Sequence, residues 1–300
     1  MTWTADDLIA SAKRRGVIPT AQVTWQTADF LAVADEEMLS YAVPLLQRLR
    51  QDFYIQQDDY TLAQSGSSST PAYYRLPDRA LGNTTRSVMC YDAGGNPLSL
   101  PQLVLEDMSL STWGYFLNGS LVGYVNRTAY GAPATMRISY YLRPSRLTLV
   151  ANVAKVLSFD TVAKTVTLDQ LPAGYTGNGY WDIIRAAPIF ETLTWDAAGA
   201  LNGSTISFLD KLPLELQAGD WVTLAEVTPV PQLPPEMHPL LAQRLAVKFL
   251  EAQGDPQELQ AAMAILDRME KDITHLLTPR MQGEPKKLIP RDGVWRRWRR

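Results

Sequence analysis

The stretch PVPQLPPEMHP, residues 229–239, decides the fold of this 300-residue chain, because it separates two kinds of sequence. Five of its eleven residues are prolines, which favours a stiff, extended linker. Directly after it, Leu241, Leu245 and Phe249 recur at the spacing of one helix face, and Gly254 is suited to end that helix. We therefore expect a sharp boundary here, where the chain enters a C-terminal helical part.

The sequence DPQE, residues 255–258, predicts the start of a second helix. It combines an acidic N-cap residue, a proline at the first helical position and a glutamate three residues after the cap. Leu259, Met263, Leu266, Ile273 and Leu277 continue at helical spacing. Because the turn at Gly254 is too short to separate two helices, an αα-hairpin is expected over residues 236–278.

The N-terminal residues also predict helices. Thr4 is a suitable N-cap for a helix over residues 5–15. A second helix is expected to start near Thr27 or Asp35, because apolar residues then recur at spacings of three and four. Pro44 lies inside this second helix and is expected to kink it or to leave a carbonyl without its partner.

Between these helical parts, short segments alternate apolar and polar residues and are separated by turn sequences. Met136, Ile138 and Tyr140 show this alternation, and residues 161–169, 205–208 and 221–224 repeat it. A Ser/Gly-rich connector at residues 65–71 precedes the region. The pattern predicts half-buried strands in a small antiparallel sandwich or barrel.

The expected fold class is therefore α+β. It consists of a helical core built from both termini, an inserted antiparallel β domain and an extended C-terminal arm. The predicted boundaries are residues 1–64 for the N-terminal part of the core, 65–235 for the β-rich domain, 236–278 for the helical hairpin and 279–300 for the arm.

The last six residues combine tryptophan with arginine: Trp295, Arg296, Arg297, Trp298, Arg299 and Arg300. Residues 279–300 hold eight basic and two acidic residues, whereas the rest of the chain holds 20 basic and 29 acidic ones. Tryptophan and arginine are enriched at interface hot spots, and a solvated tail would leave two large rings in water. We interpret these six residues as a partner-binding site; the alternative is a frayed, charged tail.

Composition and motifs argue against several classes of function. With 46% hydrophobic and 20% charged residues, the chain is typical of globular proteins, and no apolar run or leader predicts a membrane span or secretion. His238, His275 and the lone Cys90 show no catalytic or metal-binding spacing. The adjacent acids at 6–7 and 58–59 are interpreted as solvated, and the GYTGNG loop at 174–179 as a hairpin loop rather than a phosphate-binding loop. We expect no enzymatic activity, no cofactor and no metal.

Three segments resemble the head–tail connector (adaptor) proteins of tailed bacteriophages. EEMLSYAVPLL at residues 36–46 is similar to their N-terminal helix with an acid–Leu–Pro pattern. YRLPDRALG at residues 74–82 is similar to the segment that follows that helix, and PQLPPEMHPL at residues 231–240 to their return into a C-terminal helical pair. The resemblance covers both ends of the chain and the order of its parts.

This resemblance implies a structural protein of the virion neck, assembled in the host cytoplasm. Such adaptors form a homo-oligomeric ring, usually a dodecamer, beneath the portal protein. The ring extends the DNA channel and joins the capsid to a downstream tail or neck protein; DNA passes through without sequence-specific binding, and no membrane is involved. Their C-terminal arms insert between portal subunits, which here implies portal docking by residues 295–300.

Other functions compete with this interpretation. The Arg/Trp tail is also typical of nucleic-acid binding, in which arginine neutralises phosphate and tryptophan stacks on bases. The β-rich, aromatic middle is also typical of a receptor- or carbohydrate-binding tail component. A hydrolase is disfavoured, since no nucleophile–base pair is recognisable.

Overall fold

The computed structural model describes residues 3–18, 24–62, 71–104, 114–125, 134–172, 174–186, 191–254 and 256–278. Helices and strands both contribute, so the α+β class is confirmed. Within this part of the chain the helices are α1 (Ala5–Arg15), α2 (Thr27–Glu37), α3 (Val43–Leu49), α4 (His238–Gln253) and α5 (Pro256–Leu277).

Helix α1 begins as its sequence predicts. The Thr4 hydroxyl accepts a hydrogen bond from the Asp7 amide, and the Asp7 carboxylate accepts one from the Thr4 amide. This reciprocal pair satisfies two donors that a helix start leaves open. The apolar face of α1, with Leu8 and Ile9, is buried.

Helices α2 and α3 are joined by a single π-helical turn, Met38–Ala42, in which the Val43 amide donates to the Met38 carbonyl. Pro44 follows at once. In a regular α-helix its ring would press on the carbonyl four residues earlier, and it has no amide to donate. The wider turn accommodates the proline, so the expected disturbance is a π-turn rather than a sharp kink.

The helices from the two ends of the chain share one hydrophobic core, with residues from α1 to α3 packed against α4 and α5. The rings of Phe30 on α2 and Phe249 on α4 lie 4.2 Å apart. Buried Glu37 accepts a hydrogen bond of 2.6 Å from Arg244, which ties α2 to α4. Helices α4 and α5 pack against each other, and Gly254 between them adopts a left-handed conformation with φ 78°. The predicted N-cap at position 255 lies outside the described residues.

The strands form two units with separate cores. The first is a sandwich. One sheet has the order β1-β7-β3-β4, and a three-stranded sheet β2-β6-β5 packs against it around a shared core. The strands are β1 (Ile55–Thr61), β2 (Ala72–Arg75), β3 (Ala80–Tyr91), β4 (Pro97–Leu98), β5 (Gly114–Asn118), β6 (Leu121–Val125) and β7 (Thr135–Leu142).

The second unit is a closed antiparallel barrel of order β10-β13-β12-β11-β14-β9, filled by side chains such as Trp181 and Ile206. Its strands are β9 (Ala154–Asp160), β10 (Thr165–Leu168), β11 (Asn178–Ile184), β12 (Thr192–Asn202), β13 (Thr205–Phe208) and β14 (Trp221–Leu224). The sequence left sandwich and barrel open as alternatives, and the chain contains one of each.

Between the two units the chain returns to the helical core. Strand β8 (Arg146–Leu147) pairs in parallel with β15 (Val227–Thr228), and Leu147 enters the helical core. The Leu147 amide donates to the Asp35 carboxylate on α2 at 2.7 Å. Along the chain the sandwich therefore lies between α3 and β8, and the barrel lies between the two strands of this ladder.

Two local predictions were wrong. The strand expected over residues 161–169 starts only at Thr165, because residues 161–164 form a hairpin turn in which the Asp160 carboxylate accepts from the amides of Val162 and Ala163. The loop at 174–179 leads from β10 to β11, which are not neighbours in the barrel, so it is a crossover and not a hairpin loop. In the first case a tight turn between β9 and β10 replaced the start of the strand, and in the second the pairing of β11 with β12 and β14 overrode the local pattern.

Candidate functional site at the junction of helices and β units

A cavity of about 680 Å³ lies where the helical core meets the β region. Its walls come from the segment after α3, from the end of β7, from the proline-rich linker and from the last turn of α5. The apolar lining includes Phe53, Tyr54, Leu233, Leu276 and Leu277. Charged side chains also line it: Arg50, Asp52, Arg143, Glu191 and Glu236. This size and mixed lining are typical of a site for a ligand or an anchoring side chain.

Tyr54 has an unusual backbone in this cavity, with φ 63°. A bulky residue in the left-handed region is a genuine outlier and requires support from its surroundings. That support comes from two hydrogen bonds: the Tyr54 hydroxyl donates to the Gln232 carbonyl at 2.5 Å, and the Tyr54 carbonyl accepts from the Leu142 amide at 2.7 Å. Burial raises the pKa of the hydroxyl, so this group is a donor and not an anion.

Behind the cavity, a buried polar network joins the sandwich to the barrel. The Arg79 guanidinium, at the start of β3, contacts both carboxylate oxygens of Asp182 on β11 at 2.8 and 2.9 Å. It also donates to Asp196 on β12 at 3.2 Å and to the Ser145 hydroxyl at 2.8 Å. The side chains of Arg79 and Asp182 are only 4% and 0% exposed, so this ion pair is removed from solvent.

The Asp182 carboxylate is further fixed by amides of Asp196 and Glu226, which donate to it at 2.9 and 3.1 Å. Burial raises the pKa of Asp182, whereas the charge of Arg79 and the Asp196 amide oppose that rise. A buried ion pair of this kind stabilises only when its remaining hydrogen-bonding positions are filled, and here both oxygens of Asp182 accept from further amides. The geometry therefore sets the relative position of sandwich and barrel.

The network reaches the proline-rich linker through Gln232. Its amide oxygen accepts from the Ser145 amide at 2.7 Å, and its amide nitrogen donates to the Thr192 hydroxyl at 2.7 Å. Arg79 and Gln232 belong to two of the segments on which the family resemblance rests, residues 74–82 and 231–240. Those segments are 153 residues apart in sequence when counted from Arg79 to Gln232, yet they meet at one junction.

The sequence predicted no role for Arg79 or Gln232. Charged residues are rarely buried unless they are paired, and the exposed charges of Arg75 and Asp78 in the same segment gave no sign that Arg79 would be buried. Its partner was not recognisable, since Asp182 lies 103 residues further along the chain.

The predicted docking residues, Trp295, Arg296, Arg297, Trp298, Arg299 and Arg300, lie outside the described residues. The junction cavity nevertheless includes the end of α5, from which the chain continues toward them. The structure therefore brings none of the six into a described site.

His238 and Cys90, which the sequence analysis considered for catalysis, are both buried. The Nε2 atom of His238 lies 3.1 and 3.2 Å from the carbonyls of Leu233 and Pro231, and burial lowers the pKa of this histidine to about 4. Burial raises the pKa of the Cys90 thiol to about 11, which suppresses its thiolate. Within the described ranges no three His, Cys, Asp or Glu side chains are grouped as metal ligands.

Asp58 departs from the solvated position expected for it. Its carboxylate on β1 is partly buried and accepts a hydrogen bond of 3.0 Å from the Tyr140 hydroxyl. Desolvation raises its pKa, the Tyr140 hydrogen bond lowers it and neighbouring Asp59 raises it. Asp59 is exposed and paired with Arg137 at 2.7 Å, as a surface acid would be.

Among the helices that the structure describes, none has the length and apolar character needed to cross a membrane. A scan of the chain against models of known protein families and a search of curated proteins found no match.

Proposed function

We propose that this chain is a head–tail connector of a tailed bacteriophage. In this proposal it forms a homo-oligomeric ring, a dodecamer in the virion, on the portal protein. It extends the DNA channel and joins the capsid to a downstream tail or neck protein. The ring assembles in the host cytoplasm and resides in the neck of the virion, without a membrane and without sequence-specific contacts to DNA.

The observation that carries this proposal is the convergence of the resembling segments. Segment 36–46 lies in the helical core, while Arg79 from segment 74–82 and Gln232 from segment 231–240 join in one buried network. Ser145 is their common partner, since it accepts from Arg79 and donates its amide to Gln232. A motif set that maintains a junction between units is typical of a structural part rather than of a catalytic centre.

The finer architecture also fits the proposal. A helical core made from both chain ends offers a rigid base. The two β units that are joined to it at one junction offer separate surfaces for neighbours in a ring. The basic arm at residues 279–300 then extends from α5 toward the portal. We assign portal docking to Trp295 and Trp298 as apolar anchors, with the four arginines as charge partners.

Charge supports a channel through which DNA slides. Outside residues 279–300 the chain holds 29 acidic and 20 basic residues. A net negative body repels phosphate, so it does not retain the duplex. We also propose a non-enzymatic role. The buried His238 has its Nε2 atom against two backbone carbonyls, and the raised pKa of the buried Cys90 thiol disfavours the reactive thiolate at neutral pH.

The test is reconstitution with isolated portal rings. The purified chain is expected to be largely monomeric in light scattering at micromolar concentration, because ring formation requires its arm to dock in a portal cleft. Addition of portal rings should produce particles that carry an extra ring, visible by electron microscopy. A stable high-order ring without portal, or no binding to portal at all, would contradict the proposal.

A further inference from the structure

Strand β1 is an exposed sheet edge. It pairs with β7 alone, in an unbroken register from Ile55 to Thr61. The Leu142 amide donates to the Tyr54 carbonyl, and the Leu62 amide donates to the Ala134 carbonyl, so the even-numbered residues bond to β7. In an antiparallel ladder the alternate residues then point their backbone groups away from the sheet. The amides and carbonyls of residues 55, 57, 59 and 61 have no backbone partner in the described part of the chain.

The other edges of the sandwich are short, covered or irregular. Strand β4 pairs only with Cys90 and Tyr91 of β3, and the rest of β3 has two register shifts against β7. Strand β4 has two residues and β2 has four. The outer side of β5 is occupied by the segment before it, because the Tyr115 amide donates to the Pro101 carbonyl and the Leu103 amide donates to the Tyr115 carbonyl. Native proteins normally shorten, cover or bulge such edges, since an open one templates pairing with another strand. Strand β1 is long and has no bulge. Among the described strands of the sandwich, it therefore has the edge best suited to pair with a further strand.

The junction cavity lies at the beginning of this edge. Ile55 and Gln56, the first residues of β1, line the cavity together with Leu276 and Leu277 of α5. Leu276 is 58% exposed, which leaves apolar area open at the rim. An added strand would therefore find backbone partners along β1 and an apolar recess at its end. This combination, with a ladder for affinity and a pocket for selectivity, is a known mode of peptide recognition.

The charge of the edge favours a basic occupant. Asp59 is neutralised by Arg137, and Asp52 by Arg50. The partly buried Asp58 carboxylate has only the Tyr140 hydroxyl as its side-chain partner within the described ranges. Glu236 on the cavity rim adds a negative charge, and Arg143 on the same wall adds a positive one. A second copy of β1 would bring more aspartates to this edge, and like charges across a strand pair are destabilising.

We propose that residues 294–300 of the same chain occupy this surface in the free protein. The segment VWRRWRR contains neither proline nor glycine, and its valine and tryptophans favour strand pairing. Its four arginines supply the cation that Asp58 lacks. The 15 residues between Thr278 and Val294 reach about 50 Å when extended, whereas seven strand residues cover about 23 Å.

An extended segment directs Trp295 and Trp298 to opposite faces of the sheet, so only the ring on the cavity side can enter the recess. The arm is thereby stored on the body of the free chain and becomes available when a portal cleft binds it more tightly. This inference concerns the free chain only. It goes beyond the proposed function and does not depend on it.

The experiment is hydrogen exchange, resolved to single amides, on the free full-length chain without portal. The amides of Gln57 and Asp59 should exchange at least about tenfold more slowly in the wild type than in the Trp295→Ala/Trp298→Ala variant. The amide of Arg137, which lies opposite Met89 and faces β3 rather than β1, serves as the folding control and should be equally protected in both. Equal rates at Gln57 and Asp59 in the two proteins would overturn the inference.

A second variant tests the charge. Asp58→Asn keeps an acceptor for the Tyr140 hydroxyl but removes the negative charge, so it should reduce the protection of Gln57 and Asp59 several-fold. Asp210→Asn, at an exposed position after β13, is the matched control and should leave it unchanged. Protection that is insensitive to Asp58→Asn, or that grows with protein concentration, would exclude the same-chain arm. Because portal is absent, either result leaves portal docking to its own test.

Discussion

At the scale of single residues, Arg79 and Arg75 offer a controlled comparison. Both form ion pairs of similar length in the same segment, Arg79 with Asp182 at 2.8 Å and Arg75 with Asp78 at 2.7 Å. The first pair is almost fully buried, whereas the side chains of the second are 69% and 81% exposed. Burial is therefore the main difference between them.

We predict that Arg79→Met lowers the free energy of unfolding by about 3–5 kcal/mol, because it leaves the Asp182 carboxylate buried without a counter-charge. Arg75→Met should change it by less than about 1 kcal/mol, since exposed pairs are screened by water. Denaturant unfolding of both variants measures the difference. Similar values for the two would show that the buried network does not hold the sandwich to the barrel.

His238 and Asp35 predict opposite pH dependences of stability. Burial lowers the pKa of His238 to about 4, below the 6.5 of an unfolded histidine. The contribution of His238 to the free energy of unfolding is complete above pH 6.5. It is lost as the pH falls toward 4, because only the unfolded chain takes up the proton in that window. Burial raises the pKa of Asp35 to about 6 from 3.8, although the Leu147 amide and the charge of Arg146 oppose the rise. Its contribution is complete below pH 3.8 and is lost as the pH rises through 6.

The shifts of His238 and Asp35 each correspond to at most about 3 kcal/mol, and water screens the partly exposed Asp35, so their opposite slopes should largely cancel in the wild type between pH 6 and 4. In His238→Gln only the Asp35 effect remains, and stability should fall as the pH rises from 4 to 6. Asp35→Asn should instead leave only the histidine effect, so stability should fall on acidification from pH 6.5 to 4. Unfolding midpoints measured between pH 4 and 7 test both slopes; an unchanged slope in His238→Gln would contradict the assignment.

At the scale of elements, two glycines are required for different reasons. Gly254 ends α4 at φ 78°, with open space around the position where a side chain would begin. Gly123 on β6 has an ordinary backbone, but a Cβ atom there would lie 2.1 Å from the Phe116 ring of β5. At Gly254 the backbone conformation disfavours a side chain, whereas at Gly123 the neighbouring ring leaves no room for one.

We predict that Gly254→Ala costs about 1 kcal/mol, the usual penalty for a left-handed alanine, and leaves the packing of α4 and α5 unchanged. Gly123→Ala should cost about 1–3 kcal/mol or more, because the buried Phe116 ring must move. Phe116→Leu should relieve part of that penalty in the double variant. Additive losses in this double-mutant cycle would show that the ring is not the obstacle.

At the scale of the whole molecule, the fold is expected to form without the arm. Deletion of residues 294–300 should leave thermal melting nearly unchanged, because the helical core is complete by Thr278. It should also abolish stable attachment to portal, since the proposed anchors are removed. Loss of folding on this deletion would contradict the separation of arm and body.

The two residue types of the arm should differ in effect. Trp295→Ala with Trp298→Ala should weaken portal binding by about 2–4 kcal/mol per buried ring. Arg299→Ala with Arg300→Ala should cost only about 0–1 kcal/mol for each exposed pair. A pull-down on assembled portal rings, with melting as control, compares them. If only the arginine variant fails, and does so with a steep salt dependence, the tail is an electrostatic binder, as expected of a nucleic-acid-binding protein.

Structural features that depend only on nearby residues could be predicted from the sequence alone. The N-cap at Thr4, the glycine end of α4, the proline start of α5 and the alternation in β7 all depend on neighbours within a few positions. For the same reason the α+β class and the helical hairpin were predictable. The proline at position 44 predicted a disturbance, although its form as a π-turn depended on packing of α2 and α3 in the core.

Only the tertiary structure decided how the β region divides and what joins its parts. Barrel closure, the parallel pairing of β8 with β15 and the Arg79–Asp182 pair each connect residues separated by tens of positions or more. No local period encodes such a contact, because its energy exists only once the intervening chain has closed. The two β units, the junction cavity and the open edge of β1 therefore follow from the assembled chain, whereas its helices and strands were largely determined by local sequence.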